Sequence, residues 1–157
     1  VKANIEISDV NLKESATVLN TLLADEFLLY TKTRNAHWNV QGNSFYDLHK
    51  FFEEQYDELA EMIDEVAERV RMLGHYALGT MKDFLAITRM SESSYEFSSQ
   101  QQIVQALLDD HETIIRTLRH DAEHVADKYK DLGTSDFLTG LMEKHEKMAW
   151  MLRAHLN

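Results

Sequence analysis

An all-α fold, a four-helix bundle, is what the sequence predicts, and three observations predict it. Proline is absent and glycine occurs only five times, so little interrupts a chain rich in the helix formers Leu, Ala, Glu, Met and Lys. Apolar residues recur at steps of three and four over several long segments, the period of a helix that buries one face. The 157-residue length and 44% hydrophobic content suit a single domain, residues 1–157, with a real core.

The first helix begins between Ser8 and Asn11, where Asn11 with Glu14 three residues on resembles a capping box, and it runs to about Asn35. Leu12, Ala16, Leu19, Leu23 and Tyr30 give its apolar face. The stretch from His37 to Asn43 reads as a loop, with Gly42 and Asn43 as turn residues. A second helix spans about Ser44 to Leu73 and is closed by Gly74. In it Phe45, Leu48, Phe52, Tyr56, Leu59, Ile63, Val66, Val70 and Leu73 form an unbroken seam, the strongest periodic signal in the chain. The pattern weakens between Gly79 and Ser99, although Met81 to Ile87 can form a short helix within this crossover. A third long helix starts at Ser98 or Ser99 and reaches about Lys130, and a fourth runs from an N-cap at Thr134 or Ser135 to about Leu156. One long connection in the middle makes the second and third long helices parallel, as in ferritin-like bundles, with a short extra helix in the crossover.

Composition narrows the chemistry. Without cysteine there are no disulfides, thiolate nucleophiles, iron–sulfur clusters or cysteine zinc sites. Any metal must be held by His, Asp or Glu. A net charge of −11 disfavours nucleic acid, whose phosphates need clustered Lys and Arg, and favours cations as partners. Acidity also simply keeps a domain soluble. There is no secretory leader pattern and no apolar run of the ~18 residues that a membrane span needs. A soluble cytoplasmic protein is therefore expected, unless a leader has been removed.

The second helix carries two pairs at i and i+4, His49 with Glu53 and Asp64 with Glu68, and each pair shares one face. At about 100° per residue, these positions lie roughly a third of a turn from the seam and point out of the subunit's own core. Such pairs are commonplace on solvated helices, but their separation is informative. His49 and Asp64 are fifteen residues apart, roughly 22 Å along a helix, so one metal cannot bind both pairs of one chain. Two copies packed antiparallel about an axis near Glu58 and Leu59 would bring the His49 end of one to the Asp64 end of the other. Two equivalent sites result, with His37 approaching from the end of the first helix. Mixed carboxylate and imidazole donors suit iron, manganese or zinc better than calcium or magnesium. The alternative, a dimetal site inside one bundle, calls for Glu-x-x-His motifs on two helices. None is present, and only Asp121 with His124 comes near.

These residues carry a resemblance. His37-Trp38-Asn39-Val40 with Gly42, Phe45, Leu48, His49 and Glu53, followed by Asp64, Glu68, Arg69 and Gly74, is similar to the signature of the Dps family. The likeness is densest over about residues 30–75 and extends loosely to Trp150-Met151-Leu152. It implies a hollow dodecamer built from two-fold dimers, in which His37, His49 and Glu53 of one subunit, with Asp64 and Glu68 of its mate, bind ferrous iron. The resemblance also implies ferroxidase chemistry with hydrogen peroxide as oxidant, and storage of ferric mineral that protects against oxidative damage. Family members commonly carry aspartate where Glu53 stands, a change that keeps the ligand type. Trp38 is implied to lie beside the site, where it either takes up stray oxidising equivalents or serves interface packing. Similar proteins line their entry pores with acids near the start of the fourth helix. Asp136 stands there, with Asp131 and Glu143 as further candidates, although Gly140 occupies the i+4 position from Asp136.

The remaining candidates read as structural. His120 and His124 share a solvated face beside Asp121 and Glu123; His75, His111, His145 and His155 read as ordinary polar positions, and the seven methionines as core. Some relatives compact DNA through a basic tail, but Lys2 is the only cation in the first nine residues, so direct DNA binding is not expected. A structural helical oligomer without redox activity would keep the seam and not need the metal pairs.

Overall fold

A computed structural model describes all of residues 1–157. It contains five helices and no strand: α1 (Asp9–Asn39), α2 (Phe45–Met72), α3 (Met81–Ile87), α4 (Gln100–Tyr129) and α5 (Leu132–Ala154). α1 packs along α2, α4 along α5, and α1 against α4, which joins the two hairpins into one bundle. No helix is long and apolar enough to cross a membrane.

The direction of the helices follows from the crossover, whose hydrogen bonds advance along α1 in order. The Tyr76 carbonyl and Leu78 N–H meet the Asn20 side chain, Thr88 and Arg89 meet Asp25, the Ser91 carbonyl meets Lys32 and the Ser93 carbonyl meets Asn35. The chain therefore returns from the start of α1 to its end before α4 begins, so α4 runs antiparallel to α1 and parallel to α2, as the sequence predicts.

Leu19, Leu22, Leu23 and Leu29 of α1, Phe52, Leu59, Met62 and Val66 of α2, Ile103, Leu107, Ile114 and Leu118 of α4, and Leu138, Leu141, Met148 and Leu152 of α5 fill the centre. Full burial of each such side chain contributes about 1.5–3 kcal/mol. Most of the α2 seam faces this core, but Phe45 is 43% exposed, and Ile63 is only half-buried. Phe51, Gln55 and Met62 join the buried face instead. α1 buries five consecutive residues from Leu22 to Glu26, because α2, α4 and the crossover cover it from several sides.

One cap and two boundaries differ from expectation. α1 is capped by Ser8, whose Oγ accepts from the Asn11 N–H at 3.2 Å, so Asn11 lies in the first turn and is not the cap. α1 also continues through His37 and Trp38 to Asn39, where a loop was expected. The turn comes at Gly42, with φ +125°, where an added Cβ would stand 2.8 Å from the Gln100 side chain. α5 starts at Leu132 rather than after Thr134 or Ser135, because Asp131 is its N-cap. Asp131 Oδ1 accepts from the Thr134 N–H at 2.9 Å, its Oδ2 accepts from the Thr134 hydroxyl at 2.6 Å, and Arg69 lies 3.5 Å away. Replacing Asp131 with Ala is expected to cost about 2 kcal/mol, the upper end for a lost N-cap, readable as a lower thermal midpoint. The start of α4 agrees with expectation: Ser99 and Gln102 form a reciprocal capping box.

Candidate metal centre

The end of α1 and the first turns of α2 hold two imidazoles face to face. The rings of His37 and His49 stack with centroids 3.7 Å apart and planes inclined by 19°. His37 Nδ1 lies 2.7 Å from the backbone carbonyl of His49, and His49 Nδ1 lies 2.7 Å from the backbone carbonyl of His37. A carbonyl oxygen only accepts, so each Nδ1 carries the hydrogen and donates it. In the neutral rings both Nε2 atoms then keep their lone pairs, the arrangement that prepares histidine as a metal ligand. His37 is buried and His49 half-buried.

Glu53 stands one turn beyond His49, and its carboxylate receives a hydrogen bond from Lys50 Nζ at 3.0 Å. That bond and the Lys50 charge hold Glu53 below the usual carboxylate range. It is thus an anionic donor at neutral pH. Asp64 and Glu68 are exposed further along α2, while their neighbours Glu65 and Arg69 are engaged with Lys144 and Asp131. No three His, Asp or Glu side chains of one chain converge closely enough to hold a metal ion. The structure therefore brings His37 and His49 together, leaves Glu53 turned to Lys50, and keeps Asp64 and Glu68 apart from all three.

The surroundings of the imidazoles are aromatic. Tyr56 meets His37 edge-on, with centroids 5.1 Å apart. The Arg34 guanidinium lies over Tyr56 at 4.4 Å and over Trp38 at 5.1 Å, a cation–π arrangement. Trp38, Phe45 and Tyr46 are exposed, an apolar rim of the kind that subunit contacts cover.

Among the acids considered for a pore, Asp136 and Glu143 are exposed on α5. Asp131 is a correction: it is 1% exposed and committed to the α5 cap and Arg69, so within the chain it faces no channel. His111 and His145 are a second correction. Both are 0% exposed, as is Glu26, and they form one chain of contacts through the bundle centre. His145 Nε2 lies 2.7 Å from Glu26 Oε1, and His145 Nδ1 lies 3.0 Å from His111 Nδ1. A signal for this burial exists in the sequence. His111 falls on the apolar series Leu107, Ile114, Leu118, and His145 on Leu138, Leu141, Met148, Leu152. His120 and His124 are exposed, as expected, and the His124 ring contacts the Tyr129 hydroxyl.

Fold and site together define a helical bundle of the ferritin-like class, and a family model described as a ferritin-like domain matches residues 16–157. The chain is 41% identical, over 92% of its length and 98% of the relative's, to DNA protection during starvation protein 2 of Bacillus anthracis. It is 44% identical to an uncharacterized low temperature-induced protein of Nostoc, covering 99% of this chain and 87% of that one. Among solved structures, the Dps protein of Vibrio cholerae, described as a member of the ferritin-like diiron-carboxylate superfamily, superposes with a TM-score of 0.91 at 31% identity, covering 99% of this chain and 97% of that one. The chain belongs to the Dps family.

Proposed function

We propose that this protein is an iron-oxidising and iron-storing mini-ferritin whose sites are completed between two copies of the chain. One observation carries the reading: His37 and His49 each donate Nδ1–H to a backbone carbonyl and so offer Nε2, on a half-site that lacks enough donors by itself. An antiparallel mate supplies Asp64 and Glu68. Ferrous iron is the substrate, bound by His37, His49 and Glu53 from one subunit and by the mate's carboxylates. Anionic donors stabilise the ferric charge and so ease electron loss. Two ferrous ions give one electron each to hydrogen peroxide; the O–O bond breaks and its oxygens leave as hydroxide or water, with no hydroxyl radical released. Ferric product then mineralises inside a dodecameric shell. Asp136 and Glu143 supply negative charge along the entry route, where an acidic lining concentrates cations. The family relationship and the ligand chemistry support this reading, and a cytoplasmic setting is proposed with it.

The test is to add ferrous iron anaerobically, then peroxide or oxygen, while following ferric absorbance and the iron retained per particle. Faster oxidation by peroxide than by oxygen is expected; equal or faster turnover with oxygen rejects the peroxide preference alone, and no oxidation with either rejects the function. The relatives named for DNA protection suggest a second reading, direct DNA binding. The charge of −11 opposes it, so no retardation of duplex DNA is expected at physiological salt. A tight, salt-sensitive complex would reverse that conclusion.

A further inference from the structure

Glu26 of α1, His145 of α5 and His111 of α4 lie fully buried in the centre of the bundle, and the proposed chemistry does not use them. Their inner atoms bond to one another, while Glu26 Oε2 and His111 Nε2, at the two ends, have no hydrogen-bond partner. The trio is electrically neutral when an ionised Glu26 accompanies one doubly protonated imidazole, or when a protonated Glu26 accompanies two neutral imidazoles. An additional proton places net positive charge on side chains fully buried from bulk solvent, a cost that burial makes large.

The other charged groups nearby are already committed. Asp110, next to His111 on α4, pairs with Lys32 at 2.6 Å, and Tyr95 of the crossover is pushed up by its own burial and by Asp110. Asp25, next to Glu26, pairs with Arg89, which also holds Asp121. α2 buries one titratable side chain, Tyr56, and that ring lies against His37 and Arg34. From the elements around it, His111 is therefore faced by His145 and, through it, by Glu26.

We propose that Glu26, His145 and His111 form an acid-sensitive catch that joins α1, α5 and α4 at neutral pH and loosens the bundle from its centre on mild acidification. Burial, and then the charge of His145, hold His111 well below the ordinary imidazole range. The sign follows directly. Below about pH 6.5 the unfolded chain takes a proton on His111 that the folded chain refuses, so stability is intact above that pH and falls as pH falls. The onset lies above the range where paired surface carboxylates begin to matter.

Mass-spectrometric exchange of the histidine C2–H, followed across pH on the assembled protein, reads His111 directly. Slow exchange with a midpoint well below 6.5 is expected, and an ordinary midpoint overturns the proposal. Thermal unfolding of the wild type and of His111→Asn and His111→Leu between pH 7.5 and 5 gives the second measure. Each pH unit below about 6.5 should lower the folded-to-unfolded ratio of the wild type by up to about tenfold more than that of the variants. Parallel pH profiles overturn the proposal. Should neither variant fold, the exchange measurement on the wild type still decides.

Discussion

His49→Ala and Asp64→Ala, each assembled alone, are expected to lose nearly all ferrous oxidation, and together to regain about a quarter of wild-type activity. The individual losses should be at least the roughly 10–100-fold that removal of an outer partner of a metal ligand produces. The recovery follows from geometry. His49 and Asp64 share α2 but stand roughly 22 Å apart along it, so in the proposed arrangement each site takes His49 from one chain and Asp64 from its mate. In a mixed dimer one site carries both lesions and the other carries neither. Random pairing of equal amounts makes half of all dimers mixed, and half of the sites in those are intact. Separate variants must first be shown to fold and assemble. Verified mixed dimers that remain inactive would falsify the shared site, because a site built within one chain stays damaged in every copy.

The largest stability effect is expected at Glu26. Glu26→Leu leaves His145 and His111 in the core without their carboxyl partner, and leaving a buried polar group unpaired typically costs about 1–3 kcal/mol, more where the pair is ionised. For a chain of this size that lowers the thermal midpoint by several degrees. Combining Glu26→Leu with His145→Met and His111→Leu should restore much of the loss, since an apolar set needs no hydrogen bonds. Scanning calorimetry at one protein concentration separates these outcomes. A single substitution with an unchanged midpoint, or a triple no better than the single, contradicts the view that the three residues act as a unit.

What the sequence made legible depended on how many sides of each element are covered. α2 buries one face, so its seam from Leu48 to Leu73 could be read almost residue by residue. α3 has the limits read from sequence, Met81–Ile87. α1 is surrounded, and its run from Leu22 to Glu26 blurs the period. Its end lies four residues beyond the expected Asn35, because the turn residues Gly42 and Asn43 come only after Asn39 and His37 docks onto α2. At α5 Thr134 and Ser135 are also of capping type, but Asp131 takes the position because its carboxylate meets both groups of Thr134 and lies beside Arg69. At the candidate metal centre the residue types and their spacing were readable, but the reciprocal bonds that orient the two imidazoles were not. The Glu26–His145 pair spans 119 residues of sequence; local spacing holds no trace of such a contact.

α2 is fastened near both ends: to α1 by the crossed bonds of His37 and His49, and to α5 by Arg69 on Thr134 and Asp131. It therefore behaves as a gauge block of fixed length. In a two-fold pair the distance between the two iron centres would be set by the rise of this one helix, about 22 Å, and not by the flexibility of loops. A one-residue insertion between Glu53 and Asp64 would lengthen that gauge by only ~1.5 Å but would turn its far end by about 100°. The carboxylates would swing out of reach of the opposite imidazoles although every ligand was still present, so helical phase, more than ligand count, limits how such a centre can vary.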